Sequence, residues 1–113
     1  MRRGDIVLTA LPGDYGKPRP AVVVQGNTVS AANYGSIVVC PLTSDVDKAL
    51  LIRVSVAPTA ENGLEVPSEI MVEKLAGVSL KRMRQVIGRL DEETQRKLDH
   101  ALLVLLGFAE PAR

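Results

Sequence analysis

The stretch that most constrains this fold is a glycine-containing loop that runs directly into a series of β-branched residues. Residues 13–20 read GDYGKPRP and residues 21–25 read AVVVQ. Pro18 and Pro20 fix φ on either side of Arg19, and a residue that precedes proline avoids helical dihedrals, so the arginine is expected in extended backbone. An unbroken apolar run predicts a strand that is buried on both faces. The pattern therefore predicts a guanidinium held at the mouth of a core strand, which suits binding of a phosphate in one orientation.

Several more short strands are predicted along the chain. Apolar runs or alternating patterns bounded by turn residues occur at 6–9, 21–25, 36–42, 50–56, 70–73 and 85–90. Pro41 near the end of the third run predicts a sheet edge or a bulge. In the fourth run, Leu51 or Ile52 is expected to face inward together with Val54 and Val56.

A C-terminal helix follows the last predicted strand. Asp91 is placed as an N-cap, and Gly107 is placed as the helix terminator. The apolar face follows i, i+3, i+4 and i+7 spacing and consists of Leu98, Ala101, Leu102 and Leu105. Leu103 and Leu106 widen this face beyond the needs of a small monomer, which predicts a partner chain. The pattern as a whole predicts one mainly β domain with α, spanning residues 1–113: a small barrel-like sheet with a terminal helix.

Composition excludes several classes of function. Three aromatic residues and a net charge of +1 cannot supply the rows of stacking rings or the overall basic charge of many nucleic-acid binders, so such binding would require a local basic patch. One cysteine and one histidine cannot form a zinc site, and no cofactor motif occurs, so neither metal nor cofactor is predicted. Cys40 lies within an apolar run, no secretion signal is visible, and no run is long enough to cross a membrane. A soluble, cytoplasmic protein is expected.

The candidate polar residues each have a structural interpretation when they are considered singly. Arg19 could be a solvated cation at a strand end, and Asp14 could simply form a turn. Thr43 and Ser44 could end their strand by bonding to their own backbone. The basic run at 81–84 would ordinarily be a solvated face. The residue types alone leave these alternatives open.

Taken together, the motifs resemble those of the MazF/PemK family of toxin endoribonucleases from type II toxin–antitoxin modules. The resemblance covers nearly the whole chain. It is carried by RGDIV at 3–7, RPAVVVQ at 19–25, PLTS at 41–44, NGL at 62–64 and IGRL at 87–90. These landmarks occur in the family's order and at compatible spacings.

The resemblance implies an SH3-like barrel of the CcdB/MazF type with a C-terminal helix. It also implies sequence-specific, metal-independent cleavage of single-stranded RNA to 2′,3′-cyclic phosphate and 5′-OH ends. By the same resemblance, Arg19 is the essential arginine of the R-P motif, and Thr43 is the hydroxyl residue at the end of the third strand. Asp14 stands where many members carry a glutamate five residues before that arginine, although its Gly-Asp-Tyr-Gly context differs from theirs. A homodimer and a cognate antitoxin are the expected partners.

RNA-binding residues are expected in the two loops that would flank the substrate. These are Tyr15, Lys17, Ser44 and Lys48. Two other functions remain open: a CcdB-like toxin that binds gyrase without catalysis, and a non-catalytic barrel that binds RNA or an antitoxin.

Overall fold

The computed structural model describes residues 1–13, 15–46 and 50–111. The predicted site residues Asp14 and Lys48 lie outside these ranges. The strands are β1 Asp5–Ala10, β2 Pro18–Val23, β3 Ser36–Thr43, β4 Val54–Val56, β5 Ser68–Ile70, β6 Ala76–Ser79 and β7 Met83–Arg89. The helices are α1 Asn27–Ala31 and α2 Glu92–Leu105, with short 3-10 turns at Val72–Lys74 and Leu80–Arg82.

The strands of the described residues form one antiparallel, seven-stranded sheet in the order β4-β5-β3-β2-β1-β7, with β6 paired to β3. The predicted class, mainly β with a terminal helix, is confirmed. The sheet has one strand more than the six expected, because residues 76–79 pair with the first half of β3. The strand predicted at 70–73 is instead β5, Ser68–Ile70, and is followed by the 3-10 turn Val72–Lys74. The predicted 50–56 strand is shorter than expected. Its inward residues are Ile52, Val54 and Val56, whereas Leu51 is exposed.

Two apolar clusters fill the two faces of the central strands. One contains Val22 together with Leu98 and Ala101 of α2, and the other contains Ala21 and Val23. All of these residues are buried. Because consecutive residues from Ala21 to Val23 enter different clusters, this part of β2 needs an apolar side chain at every position. The prediction from its unbroken apolar run is therefore confirmed.

Pro41 does not lie on an edge strand, because β3 is paired on both sides. Residues Ser36–Val39 of β3 pair with β6, whereas Leu42 and Thr43 pair with β5. Pro41 falls at the change of partner, where its carbonyl accepts a hydrogen bond from the Met71 amide at 2.8 Å. A residue without an N–H is tolerated here because no ladder bond is lost.

The terminal helix begins and ends as its sequence predicts. The Asp91 carboxylate accepts a hydrogen bond from the Thr94 amide at 2.7 Å, and this bond lowers the pKa of Asp91. Gly107 terminates the helix with φ +84°. Leu98 and Ala101 are buried, while Leu103 and Leu106 are exposed. No helix within the described ranges is long and apolar enough to span a membrane.

Candidate active site

An open cleft of about 730 Å³ lies at the end of the sheet where β2 begins and β3 ends. Its polar lining includes three residues singled out by sequence, Arg19, Thr43 and Ser44. It also includes Glu65 and Gln85, which the sequence did not single out. The fold thus gathers polar side chains from three strand ends and one loop around a single open space.

Strand register explains why these residues meet. Ala21 of β2 pairs with Pro41 of β3, and Arg19 precedes Ala21 by two residues while Thr43 follows Pro41 by two, so both extend beyond the same end of this antiparallel ladder. Both residues line the cleft, which brings a guanidinium and a hydroxyl to one site from two neighbouring strands, although the residues are far apart in sequence.

The floor of the cleft is apolar. Leu8 of β1 pairs with Pro20 of β2 on one side and with Gln85 of β7 on the other. The cleft is lined by Leu42 of β3, Pro20 of β2 and Leu8 of β1. These three side chains form an apolar row across the strands, which ends at the Gln85 amide of β7. An apolar floor of this kind can accommodate the flat face of a nucleobase, while the polar groups lie at its borders.

Arg19 is exposed within β2 and pairs with Thr9 of β1. Its flanking residues, Pro18 and Pro20, both lie within the same strand. The strand thus begins earlier than the predicted 21–25 run, and the arginine is part of the sheet rather than of the loop before it. An arginine anchored in this way loses less conformational entropy on binding a phosphate than one on a mobile loop.

Thr43 is the last residue of β3, and its hydroxyl oxygen accepts a hydrogen bond from the Asp45 amide at 3.0 Å. This is the strand-ending role that its residue type alone suggested. A hydroxyl that accepts one hydrogen bond still has its own proton to donate. The local bond therefore fixes the side chain without removing the donor that a phosphate would need.

The wall of the cleft opposite the strand ends is a loop organised by Asn62. The buried Asn62 side chain accepts hydrogen bonds from the amides of Thr59 and Leu64, each at 3.0 Å. It also donates to the Ala57 carbonyl at 2.8 Å. One side chain thus holds the loop from residue 57 to residue 64 in a single conformation.

Two glycines allow this loop to lie directly on β7. Gly63 has φ +71°, and a Cβ placed there would collide with the carbonyl of Ile87. A Cβ at Gly88 would in turn collide with the carbonyl of Glu61. The Arg89 amide donates to that same Glu61 carbonyl at 2.8 Å. The NGL and IGRL motifs, which are separated in sequence, are therefore the two sides of one backbone-to-backbone contact.

The other predicted site residues are not among the described residues that line the cleft. Tyr15 is fully exposed with φ +51°, and Lys17 is also exposed, both in the segment that precedes β2. Asp14 and Lys48 lie outside the described residues. The structure thus brings Arg19, Thr43 and Ser44 together. The missed residues Glu65 and Gln85 could have been suspected only by assuming that the NGL and IGRL motifs touch.

A second polar cluster is built around Arg53, which precedes β4. Its guanidinium binds the Glu73 carboxylate through Nε at 3.0 Å and through a terminal nitrogen at 2.7 Å. It lies 3.6 Å from a buried Glu69 oxygen, and the Arg53 side chain is 10% exposed. Burial acts to raise the pKa of Glu73, but the hydrogen bond from Arg53, a backbone hydrogen bond and the nearby Arg53 and Lys74 charges together outweigh it, so the pKa is lowered. Burial, reinforced by the Glu73 charge, raises the pKa of Cys40 to about 12.

Solved MazF toxins share this architecture, a mainly antiparallel sheet with one C-terminal helix. The Mycobacterium tuberculosis toxin MazF-mt6 superposes with a TM-score of 0.78 at 23% identity, over 93% of this chain and 98% of that chain. An endoribonuclease solved in complex with its cognate antitoxin, from a mycobacterial species, superposes with a TM-score of 0.79 at 18% identity, over 98% and 99% of the two chains.

Sequence comparison assigns the family. Residues 2–106 match the model of the PemK-like, MazF-like toxin of type II toxin–antitoxin systems. A Mycolicibacterium smegmatis protein named "Probable endoribonuclease MazF" is 39% identical over 110 residues, covering 96% of this chain and 99% of that protein. The chain therefore belongs to the PemK-like, MazF-like toxin family, and the resemblance found in its motifs is confirmed.

Proposed function

We propose that this chain is a toxin endoribonuclease that cleaves single-stranded RNA at short sequence motifs without a metal ion. The observation that carries the proposal is that Arg19 and Thr43, from the adjoining ends of β2 and β3, line one open cleft with an apolar floor. Membership of the toxin family and the name of the M. smegmatis relative support the same activity. We treat residues 1–113 as one toxin domain.

In the proposed reaction, the ribose 2′-OH attacks the adjacent phosphorus. The 2′-O–P bond forms as the P–O5′ bond breaks, which leaves a 2′,3′-cyclic phosphate on one product. The 2′-OH gives up its proton, and the departing 5′ oxygen receives one to become a 5′-OH. Because RNA supplies its own nucleophile, the protein must transfer these protons and stabilise the charge that develops on the phosphate.

Arg19 and Thr43 are assigned to the phosphate. The Arg19 guanidinium would hold its non-bridging oxygens, since the pKa of arginine is too high for ready proton donation and its fork of N–H donors matches two oxygens. The Thr43 hydroxyl would donate a third hydrogen bond, because its own proton remains available while its oxygen accepts from the Asp45 amide. Ser44, next along the chain, would contact the neighbouring nucleotide.

The general base is assigned to Asp14, with Glu65 as the competing carboxylate. Asp14 follows from the family spacing before Arg19, whereas Glu65 lines the cleft itself. Asp14→Asn should lower the cleavage rate by about 10²–10⁴-fold and flatten the acidic limb of the pH–rate profile that remains, while Glu65→Gln should keep that limb. The opposite result would transfer the role of base to Glu65.

The remaining assignments concern binding and location. Tyr15 and Lys17 would contact the RNA from the segment before β2, and Lys48 from the segment after Ser44. The expected partners are a second copy of the chain and a cognate antitoxin. A mycobacterial structural neighbour was solved with its antitoxin, which supports the second of these. The cytoplasm is the proposed location, since RNA and a reduced Cys40 thiol both belong there.

The test is incubation of the purified, antitoxin-free protein with a long unstructured RNA in EDTA, with both product ends mapped. Discrete cuts with 5′-OH and cyclic phosphate ends are expected. Random degradation or a requirement for added metal would contradict the proposal. Absence of cleavage by the folded protein would favour a gyrase-binding or purely RNA-binding role, which gyrase supercoiling and RNA-binding assays would then separate.

A further inference from the structure

Glu65 is a carboxylate on the wall of a cleft whose proposed ligand is a polyanion. It is exposed, and within the described residues its side chain forms no hydrogen bond or ion pair. A carboxylate beside a phosphate path repels the backbone of RNA, so its presence is explained only if it faces another part of the nucleotide. The N–H donors of a nucleobase edge are the part of RNA that a carboxylate can bind.

The geometry presents Glu65 from a fixed position. It follows directly after the segment that Asn62 holds through hydrogen bonds to the amides of Thr59 and Leu64. Two residues before it, Gly63 lies against the carbonyl of Ile87. Specificity requires donors and acceptors held in place, and this loop is held by both side-chain hydrogen bonds and backbone contact.

Gln85 lines the same cleft from β7. It lies two residues before Ile87, and Glu65 lies two residues after Gly63, so each is two residues along its own segment from the contact between Gly63 and Ile87. Gln85 also ends the apolar row that contains Leu8. Among the described residues, no hydrogen bond engages its side chain, which leaves its amide available as a donor.

We propose that Glu65 and Gln85 form a base-reading subsite that selects guanine at one position of the cleavage motif. Guanine presents two adjacent N–H donors, N1–H and N2–H₂, which match the two oxygens of a carboxylate. Its O6 acceptor would receive the Gln85 amide. Adenine and cytosine each place one amino donor beside a ring acceptor, and uracil places one N–H between two carbonyls, so all three fit a carboxylate less well. These edges are open in single-stranded RNA.

The inference rests on the proposed function, and the experiment separates the two. Wild-type protein, Glu65→Gln and Gln85→Ala are incubated with an RNA pool randomised around the cut, and the base frequencies at each position are compared. Glu61→Gln is the matched control, because Glu61 is an exposed carboxylate of the same loop that does not line the cleft. Thermal melting confirms that each variant is folded.

We expect a guanine preference at one position in the wild type. It should fall by about tenfold to a hundredfold in Glu65→Gln, the range that loss of a bidentate base contact gives, and by less in Gln85→Ala. Glu61→Gln should keep it. A wild-type motif without guanine would overturn the inference. So would an unchanged motif in Glu65→Gln, whether or not that variant cuts more slowly. In both cases cleavage itself would still be established.

If the wild type does not cut the pool, the proposed function fails but the subsite is still testable. Binding of pentanucleotides with guanine at successive positions is then measured for the wild type and Glu65→Gln. A guanine-dependent affinity that Glu65→Gln removes would support the subsite. Equal affinity for all four bases would overturn it.

Discussion

Arg19 and Arg53 illustrate how one residue type serves two purposes in this molecule. Arg53, which precedes β4, is almost enclosed and forms a forked contact with Glu73, with Glu69 close by. Arg19, which lies near the start of β2, is exposed and lines an open cleft together with Thr43. Arg53 is thus enclosed among the acidic side chains that it contacts, whereas Arg19 is held by proline-restricted backbone where a phosphate can approach it.

The comparison indicates that the surroundings of a cation, rather than its residue type, separate a structural from a catalytic assignment. Enclosing an ion pair has a desolvation cost, and removing one partner destabilises the fold because the other charge is left without compensation. An exposed cation contributes little to folding, so its loss should appear in activity alone. Substitutions at Arg19 should therefore change the cleavage rate, whereas substitutions in the Arg53 cluster should change the stability.

The largest expected effect is that of Arg19→Ala on RNA cleavage. Removing the principal phosphate donor should lower the rate by about 10²–10³-fold, the cost of losing one donor to a developing oxyanion. The melting temperature should stay close to that of the wild type. Arg84→Ala is the control, since Arg84 is exposed on β7 and does not line the cleft. A cleavage rate for Arg19→Ala close to that of the wild type would remove Arg19 from the mechanism.

Thr43→Val should give the next largest effect. It removes a hydrogen bond to a charged phosphate, which is worth about 1.5–3 kcal/mol and corresponds to a rate loss of roughly tenfold to a hundredfold. Thr43→Ser keeps both the donor and the bond from the Asp45 amide, so its rate should remain close to that of the wild type. Equal losses in the two variants would show that shape rather than the hydroxyl matters.

Glu73→Gln should have the opposite effect, a loss of stability without a loss of cleavage. It weakens the forked contact with Arg53, so the free energy of unfolding should fall by about 1–2 kcal/mol while the cleavage rate is kept. Glu93→Gln is the matched control, because its pair with Lys97 is a surface i,i+4 contact at 3.7 Å and should be nearly neutral. Denaturant unfolding distinguishes the two. A loss of cleavage without a loss of stability would place the Arg53 cluster in the active site.

The smallest expected effect is the difference between the wild type and Glu73→Gln in how their stability falls at acid pH. The pKa of Glu73 is lowered in the folded state from its ordinary value of 4.5, so its contribution to stability is complete above that value and is lost as the pH falls through the lowered one. The stability of the wild type should decline below pH 4.5, and Glu73→Gln should decline less steeply. Parallel curves for the two proteins would mean that other carboxylates determine the acid limb.

Sequence predicted the sheet with its terminal helix, and it singled out three of the polar residues that line the cleft, for physical reasons that are local. The unbroken apolar run of β2 and the Asp91 cap depend on neighbouring residues, and both were predictable. The extra strand β6 was missed because its pairing with β3 is decided by tertiary contact rather than by its own pattern. Glu65 and Gln85 were missed because nothing near them in sequence reveals that Gly63 lies on β7.

The central claim is that this chain cleaves RNA by directing the substrate's own 2′-OH at a phosphate held by Arg19 and Thr43. The most direct measurement replaces the ribose at the mapped cut site with 2′-deoxyribose and follows cleavage in EDTA. The account predicts that this position is no longer cut, while an unmodified copy of the motif in the same RNA is cut at the normal rate. Continued cleavage at the 2′-deoxy position would mean that the nucleophile is not the 2′-OH, and would contradict the account.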